Sequence, residues 1–109
     1  MQLDIESGKY VVAVSGGVDS VALLDMLAHM PRLELVVAHY EHGIRQSSDN
    51  DRKFVEALST QYGLPFEYEH GNLGSEASEA LARERRYNFL ERVRAKHQAK
   101  AVITAHHQD

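Results

Sequence analysis

Four short runs of mainly apolar and β-branched residues alternate along the chain with longer segments in which apolar residues recur every three or four positions. The short runs predict β-strands at residues 9–14, 33–39, 64–70 and 100–106. Three of them are apolar almost throughout, as are parallel strands that are covered on both faces. The run at 64–70 alternates apolar and polar residues, which is typical of a strand nearer the edge of a sheet.

The segments between these strands predict three helices. The first follows residues 15–20, and its apolar stripe consists of Val21, Leu23, Leu24, Leu27 and Ala28. The second is predicted to begin at a cap formed by Asp49, Asn50 or Asp51 and to stop at Gly63, before Pro65. The apolar positions of this second helix are Phe54, Val55, Leu58 and Tyr62.

The third helix is the longest of the three. Its predicted start is either Ser75 with Glu76 or Ser78 with Glu79, since both pairs place a capping residue before an acid. The helix is expected to run to about Lys96. The positions predicted to be buried are Ala80, Leu81, Leu90 and Val93.

The order of these elements favours an α/β protein with a parallel sheet and right-handed crossovers. In such sheets ligands bind outside the carboxyl ends of the strands, near the point where the strand order reverses. Polar clusters follow three of the predicted strands, at residues 15–20, 39–45 and 106–109. We therefore expect a functional site where these clusters meet.

Residues 15–20 read SGGVDS and join a strand to a helix. Gly16 and Gly17 let the backbone approach a ligand closely, and the unpaired amides at a helix N-terminus carry the positive end of its dipole. The hydroxyls of Ser15 and Ser20 add donors, so the loop is suited to phosphate. Asp19 would repel a bare phosphate, and its presence predicts a Mg²⁺ ion between the two.

Other phosphate-binding motifs fit this loop poorly. A Walker loop needs a lysine within the loop, whereas Lys9 precedes the strand, and a dinucleotide fingerprint needs separated glycines rather than adjacent ones. The remaining alternative is a tight turn with Asp19 as a first-turn cap. The complete hexapeptide, directly after an apolar strand, favours the phosphate site.

Composition excludes several classes of protein. The chain has 109 residues, of which 43% are apolar and 26% charged, an ordinary balance for a folded domain or a piece of a larger one. It contains no cysteine, so it has no disulfide framework and no thiolate zinc site. No apolar run approaches the roughly 20 residues of a membrane span, and the first ten residues lack the basic-then-apolar layout of a secretory signal.

A net charge of −4 argues against nucleic-acid binding by the whole surface, though not by a local basic patch. We expect a cytoplasmic protein without a membrane partner.

The motifs resemble those of a known enzyme group. SGGVDS resembles the pyrophosphate-binding loop of the N-type ATP pyrophosphatases, the PP-loop superfamily, which cleave ATP between its α and β phosphates. AHYEHGIR at 38–45, EALARERRYNFL at 79–90 and TAHHQD at 104–109 resemble motifs of the tRNA(Ile)-lysidine synthetases. The four motifs occur in the same order and span the chain.

This resemblance implies a parallel-stranded, three-layer α/β/α sheet that is Rossmann-like and of the adenine nucleotide alpha hydrolase-like type. Glu41 stands where the family has asparagine or aspartate. The last family motif continues past Asp109 with a second acid and a Glu-Thr pair. We therefore expect residues 1–109 to be the N-terminal portion of a single catalytic domain, incomplete at its C-terminal end and inactive alone. The rest of that domain and any tRNA-binding C-terminal domains are expected to lie outside this chain.

The resemblance also implies a ligase reaction that uses ATP and Mg²⁺. A carbonyl oxygen of the wobble cytidine of tRNA(Ile), in a CAU anticodon, attacks the α-phosphorus and releases pyrophosphate. The amine of free lysine then displaces AMP and forms lysidine. Because the pKa of a free lysine amine is about 10.4, the reaction needs a base. His106 or His107 can act as that base or hold phosphate oxygens, and the sequence leaves both roles open.

The candidate site residues fall into four groups. Those expected to bind ATP are Ser15, Gly16, Gly17, Val18, Asp19, Ser20, Ala38 and His39. Those expected to act in catalysis are Asp19, Arg83, His106 and His107. The metal contacts are Asp19 and Asp109. The residues expected to touch substrate or tRNA are His42, Arg45, Arg86 and Tyr87.

Several of these residues have simpler interpretations. His39 and His42 have an HxxH spacing, but without cysteine or a helix in that loop a zinc site is disfavoured. Arg83, Arg86 and Tyr87 share one helical face, which either meets phosphates and a tRNA base or is a solvated face paired with glutamates. Arg45 can equally be a surface charge.

Two alternative functions are also consistent with the sequence. The first is another PP-loop ATP pyrophosphatase, such as a tRNA thiolase, an NAD synthetase or a GMP synthetase, although thiolases usually need cysteines to carry sulfur. The second is an ATP-binding module without turnover. Pyrophosphate release that depends on lysine and tRNA separates them. A homodimer is one possibility, and the sequence does not reveal the oligomeric state.

Overall fold

The computed structural model of the protein describes residues 5–41, 48–71 and 78–105. Strands and helices alternate within these ranges, as the sequence predicts. The strands are β1 (Gly8–Ala13), β2 (Leu33–Glu41), β3 (Phe66–His70) and β4 (Ala101–Ile103). The helices are α1 (Val18–Ala28), α2 (Ser48–Tyr62) and α3 (Glu79–His97).

The four strands form one sheet in the order β3-β2-β1-β4, and all three pairings are parallel. The chain moves outward from β1 through β2 to β3, and then returns to the other side of β1 with β4. The strand order therefore reverses at β1, whose carboxyl end is the position where such sheets bind ligands. The parallel sheet is confirmed, and so is the edge position of β3.

Because successive residues of a strand point to opposite faces, the sheet has two separate hydrophobic cores, one on each face. On one face α1 and α2 cover the sheet, and the buried residues include Val12, Leu24, Leu27, Val37 and Val55. On the other face α3 packs through a second buried set: Val11, Val36, Ala38, Phe89, Leu90, Val93 and Ala99. The three-layer α/β/α arrangement is thus confirmed.

Helix α2 differs from its prediction in two respects. It begins at Ser48, so the residues expected to cap it lie within it. Phe54 is 48% exposed, whereas Val55 and Ser59 are buried. Val55 and Ser59 are one turn apart and share the face that meets the sheet, while Phe54 is turned about 100° away from Val55.

Helix α3 starts at the second of its two predicted positions. Ser78 is the N-cap, and its side chain accepts a hydrogen bond of 3.1 Å from the amide of Leu81. Leu90 and Val93 are buried as predicted, but Ala80 is exposed and Leu81 only half-buried. The helix packs on the sheet through its second half, where Phe89 supplies the additional buried side chain. The alternative start at Ser75 and Glu76 lies outside the described residues.

Strand β4 is shorter and less buried than its prediction. It covers Ala101–Ile103, with Ala101 exposed and the next two residues half-buried. Among the described strands it pairs with β1 alone, which leaves its other edge uncovered by them. Residue 106, at the predicted end of this strand, lies outside the described residues.

Candidate functional site

The loop between β1 and α1 has a backbone that depends on its first glycine. Gly16 has a φ of +101°, a conformation that side chains rarely allow. Gly17 is extended, with φ −77° and ψ 165°, and is the N-cap of α1 without a side-chain cap. The chain therefore turns at Gly16 and enters the helix at Gly17, as the sequence predicts for a strand-to-helix turn.

Two serines hold this loop together. Ser20 is buried, and its hydroxyl accepts hydrogen bonds from the amides of Ser15, at 3.1 Å, and Gly16, at 3.2 Å. The same hydroxyl donates to the carbonyl of Gly17 at 3.0 Å. The amide of Gly17 donates to the hydroxyl of Ser15 at 3.3 Å. Ser20 thus organises the loop from within, and its hydroxyl donates its proton to the loop itself.

The amides that face outward belong to the first turn of α1. The helical ladder begins with the amide of Val21, which donates to the carbonyl of Gly17 at 3.0 Å. The residues before Val21, from Val18 to Ser20, have no helical carbonyl available to them. Their position at the positive end of the helix dipole suits an anion.

A cleft of about 470 Å³ opens beside this loop, at the carboxyl edge of the sheet. This volume is in the range of small-molecule sites. The strands, the loop and the helices contribute its lining: Ala13, Val14, Ser15, Gly17, Val18, Asp19, Ser20, Ala38, His39, Tyr40, Glu41, Asp51, Arg86, Leu90, Thr104 and Ala105. The lining thus includes residues of all three helices, and five separate parts of the sequence meet at one cavity.

His39 links β2 to the base of the loop. Its side chain is buried, and its Nδ1 lies 2.8 Å from the carbonyl oxygen of Val14. Because a carbonyl only accepts, Nδ1 carries the proton, and in the neutral ring Nε2 is an acceptor. Among the described residues Nε2 has no hydrogen-bond partner, although it is buried. The ring of Tyr68 stacks on His39 with a centroid distance of 6.2 Å.

Glu41, two residues further along β2, is also buried. Its Oε1 accepts hydrogen bonds from the hydroxyl of Tyr68, at 3.2 Å, and from Nδ1 of His70. Both donors lie on β3, directly opposite β2, because His39 pairs with Tyr68 and Glu41 pairs with His70 in the register. The second carboxylate oxygen, Oε2, is buried without a partner among the described residues.

The whole sequence, residues 1–109, matches the PP-loop domain family. The chain belongs to the PP-loop family. We call SGGVDS at 15–20, the segment that resembles the pyrophosphate-binding loop, the PP-loop of this chain, and the cleft lies beside it.

Two curated relatives cover most of the chain. The tRNA(Ile)-lysidine synthase of Thermotoga maritima is 38% identical over 115 residues, which cover 96% of this chain and 28% of the relative. The tRNA(Ile)-lysidine synthase of Thermus thermophilus is 45% identical over 105 residues, which cover 91% of this chain and 20% of the relative. The chain thus spans less than a third of the length of these relatives.

A solved structure shares the fold. The U34-tRNA thiolase NcsA from Methanococcus maripaludis, with its 4Fe-4S cluster, matches with a TM-score of 0.78 at 19% identity. The match covers 94% of this chain and 39% of the thiolase chain. The same arrangement of strands and helices is therefore found in a protein of distant sequence.

The cleft brings together most of the residues that were predicted to bind ATP. Seven of them line it: Ser15, Gly17, Val18, Asp19, Ser20, Ala38 and His39. Gly16 lies just behind the lining, where a Cβ atom would be 3.5 Å from Cβ of Asp51. Ala38 also accepts a backbone hydrogen bond of 2.9 Å from the amide of Val14. The PP-loop and the end of β2 thus form one surface.

The residues predicted to form one basic face of α3 lie in different surroundings. Arg86 is half-buried and lines the cleft, whereas Arg83 is exposed and is not part of the lining. Tyr87 is 48% exposed and lines a separate depression near β4. The guanidinium of Arg86 lies 5.2 Å from the ring centroid of Tyr87. The structure therefore favours Arg86 as the arginine that meets a ligand in the cleft.

Two acidic residues of the lining were not among the predicted site residues. Asp51 was considered only as a helix cap, yet its carboxyl group lies beside Gly16. Glu41 was considered only as a departure from a family motif. The two-residue period of a strand could have indicated it, because Glu41 points to the same side of β2 as His39.

Other predicted residues lie outside the described residues: His42, Arg45, His106, His107 and Asp109. Within 5–41, 48–71 and 78–105, no group of three or more His, Asp or Glu side chains is arranged to hold a metal ion. In the same ranges no helix combines the length and apolar character that crossing a membrane requires.

Proposed function

We propose that the chain carries the ATP-binding part of a tRNA(Ile)-lysidine synthase, and that residues 1–109 are one portion of its catalytic domain. The observation that carries this proposal is the position of the PP-loop. It lies where the strand order reverses and opens into a cleft that β2 and α3 help to line. Relatives that are named for this activity match this chain over more than nine-tenths of its length.

The cleft fits the triphosphate of ATP at one end. The first-turn amides of α1 and the positive end of its dipole face the space beside the loop. Gly17 is a natural point of close approach, since a Cβ there would have only the hydroxyl of Ser15, at 3.5 Å, as a neighbour. Arg86 of α3 also lines the cleft, where its guanidinium can pair with phosphate oxygens. Ala38 and His39 lie at the end of β2, where they would shape the adenosine pocket.

Asp19 is the residue of the loop that would hold Mg²⁺, together with Asp109. Carboxylate oxygens are the protein ligands that Mg²⁺ prefers beside nucleotide phosphates, and Asp19 lines the cleft in the first turn of α1. When bound, the ion would neutralise the negative charge that develops on the departing pyrophosphate.

The proposed reaction has two steps. A carbonyl oxygen of the wobble cytidine attacks the α-phosphorus of ATP, the bond to the β-phosphate breaks, and pyrophosphate leaves with its electron pair. The amine of lysine then attacks the adenylated base, AMP leaves, and the amine loses its proton to a base such as His106 or His107. The protein supplies position and charge rather than covalent chemistry. His42, Arg45, Arg83 and Tyr87 would contact the tRNA, and the enzyme would act in the cytoplasm.

Pyrophosphate release tests this proposal. Because the first step releases one pyrophosphate per tRNA before lysine reacts, we expect repeated release of pyrophosphate from ATP only when both L-lysine and tRNA(Ile) with a CAU anticodon are present. A tRNA with a UAU anticodon is the matched control. Repeated release that requires tRNA but not lysine would indicate another PP-loop pyrophosphatase instead, such as a thiolase. ATP binding without any release would indicate a non-catalytic module. Sedimentation would determine whether the protein is a homodimer.

A further inference from the structure

A buried polar cluster lies at the ends of β2 and β3. Tyr68 and His70 both donate to Oε1 of Glu41, and the ring of Tyr68 stacks on His39 with 12° between the ring planes. Nδ1 of His39 donates to the carbonyl oxygen of Val14 at 2.8 Å. These contacts fix the orientation of the carboxylate and of the imidazole.

This cluster leaves two buried acceptors without partners among the described residues: Oε2 of Glu41 and Nε2 of His39. Glu41 is 5% and His39 is 3% exposed, so bulk water does not satisfy either atom. Buried polar atoms in native proteins are nearly always hydrogen-bonded, so an unpaired one needs an explanation such as a ligand. Because both residues line the cleft, the missing donors would belong to the molecule that the cleft holds.

The position of the pair indicates which part of ATP lies against it. The carbonyl that fixes His39 belongs to Val14, which directly precedes the PP-loop. In a nucleotide the ribose adjoins the phosphates, and the base lies one unit further away. A nucleotide whose phosphates bind at the PP-loop would therefore place its ribose, rather than its base, next to His39.

The chemistry of the pair favours the same group. A carboxylate oxygen and the unprotonated nitrogen of an imidazole both accept hydrogen bonds, so the ligand must present donors to them. The neighbouring 2′- and 3′-hydroxyls of a ribose are two such donors. The edge of adenine instead carries the acceptor N7 beside its 6-amino group, and two acceptors of the protein would repel that nitrogen. In dinucleotide-binding sheets, too, an acid binds the 2′-hydroxyl of the ribose.

From this geometry we infer that Glu41 and His39 select ribonucleotides over deoxyribonucleotides. Oε2 of Glu41 accepts a hydrogen bond from the 2′-hydroxyl of the ATP ribose, and Nε2 of His39, nearer the PP-loop, accepts one from the 3′-hydroxyl. The inference rests on the proposed ATP site and deepens it. Tyr68 and His70 are positioning residues, because they hold Glu41 through its other oxygen. The residue that departs from the family motif then recognises the sugar of the nucleotide.

Calorimetric titrations with ATP, 2′-deoxy-ATP and 3′-deoxy-ATP test the inference. They are made with Mg²⁺ and without tRNA, so that turnover does not consume the nucleotide. The wild-type protein should bind ATP at least about 10-fold more tightly than 2′-deoxy-ATP, as for loss of a hydrogen bond to a charged group. The preference for ATP over 3′-deoxy-ATP should be smaller, about 2- to 10-fold, because the acceptor on His39 is an uncharged nitrogen.

Two variants link the larger preference to the carboxylate. Glu41→Gln keeps the size of the side chain and one oxygen for Tyr68 and His70, but its amide group replaces Oε2. The preference for ATP over 2′-deoxy-ATP should fall below about 3-fold, while the Kd for 2′-deoxy-ATP stays within about twofold of the wild type. Glu41→Asp retains the charge at a shorter reach. It should keep an intermediate preference, and it decides the question if Glu41→Gln does not fold.

A matched control lies on the neighbouring strand. Glu69 is also a carboxylate near the sheet edge, but it pairs with Arg92 on α3 and does not line the cleft. Glu69→Gln should keep the full wild-type preference. Purine riboside triphosphate, which lacks the 6-amino group of ATP, is the control for the base. Any difference between its Kd and that of ATP should be the same in the wild type and in Glu41→Gln.

Three outcomes would overturn the inference. The first is equal affinity of the wild-type protein for ATP and 2′-deoxy-ATP, and the second is a preference that both Glu41 variants retain in full. The third is a Glu41→Gln variant that loses the difference between ATP and purine riboside triphosphate instead, which would assign the acceptors to the base. Failure of the proposed function looks different, because repeated pyrophosphate release by the wild-type protein would then not depend on lysine and tRNA, whatever its preference for the ribose.

Discussion

The glutamates of the neighbouring strands β2 and β3 differ in how their carboxylates are hydrogen-bonded. On the flank of the sheet, Glu67 accepts hydrogen bonds from His97 at 2.6 Å and is paired with Lys96 at 2.9 Å. Beside it Glu69 binds Arg92 through both oxygens, each at 2.9 Å. At the carboxyl end of β2, Glu41 is more deeply buried and still has one unpartnered oxygen among the described residues.

This difference distinguishes ion pairs that stabilise the fold from buried acceptors that a ligand can use. The flank pairs tie β3 to α3 and are partly exposed, so each contributes at most about 1 kcal/mol to the free energy of unfolding. At the cleft, unpaired buried acceptors cost stability, of the order of 1–3 kcal/mol for each group. The protein pairs its carboxylates where β3 meets α3. It keeps unpaired acceptors, with their cost in stability, at the cleft, where ligands bind. The following variants test this contrast.

Asp19→Asn is expected to have the largest effect on activity. The variant removes the carboxylate that would hold Mg²⁺, and pyrophosphate release should fall at least about 100-fold. Stability should fall by less than about 1 kcal/mol, because Asp19 is exposed and interactions of an exposed acid in the first turn of a helix are of that size. Asp25→Asn, on the same helix but outside the cleft lining, is the control and should retain its rate. Unchanged turnover of Asp19→Asn at ordinary Mg²⁺ concentrations would refute the metal role.

Ser20→Ala should damage both the loop and the fold. It leaves the amides of Ser15 and Gly16 without their acceptor, at a cost of about 1–3 kcal/mol in the free energy of unfolding. Amide hydrogen exchange at these two residues should become faster, and ATP should bind more weakly. The control is Ser59→Ala. Ser59 is just as buried, but its hydroxyl only adds a bond to the helical carbonyl of Val55, so the cost should stay within about 0.5 kcal/mol. Equal effects in the two variants would show that Ser20 is an ordinary core serine.

Substitutions of the two loop glycines should affect different properties: stability at Gly16 and ATP binding at Gly17. Gly16→Ala forces a side chain into a φ of +101° and should lower the free energy of unfolding by about 1–2 kcal/mol. Gly17→Ala places its methyl group in an ordinary extended conformation and should leave stability within about 0.5 kcal/mol of the wild type. It should still weaken ATP binding, since Gly17 lines the cleft. Tight ATP binding by Gly17→Ala would place the phosphates elsewhere.

Hydrophobic periodicity predicted the fold because each element contributes a local pattern. Parallel strands buried on both faces are apolar throughout, and the PP-loop is contiguous in sequence, so both could be recognised without a structure. The end of β2 could not, because polar residues after His39 resemble a loop, whereas the strand continues to Glu41. Its partners, Tyr68 and His70, depend on the register between β2 and β3, which the sequence does not specify.

The basic face of α3 shows a second limit of sequence reasoning. Arg83 and Arg86 are one turn apart, so helical spacing treats them alike. The buried residues of α3 begin at Phe89 and Leu90, about one turn after Arg86 and two turns after Arg83, so Arg86 is near enough to the sheet to line the cleft and Arg83 is not. Where a helix meets a sheet is set by tertiary packing rather than by the helix itself.

The smallest expected effect concerns the flank and is visible through its pH dependence. Burial raises the pKa of Glu67, but the hydrogen bonds and charges of His97 and Lys96 outweigh it and hold the pKa below its ordinary value of 4.5. A carboxyl group with a lowered folded-state pKa stabilises the protein above its unfolded pKa, and this stabilisation is lost as the pH falls through the folded value. Glu67→Gln should therefore reduce the free energy of unfolding by about 1 kcal/mol at pH 7 in urea titrations, and by much less near pH 3. Glu91→Gln, which breaks the pair between the exposed Glu91 and Arg94, should show a smaller difference of the same sign. ATP binding should be unchanged in both variants; a loss in either would mean that the flank and the cleft are coupled and that the contrast between them is wrong.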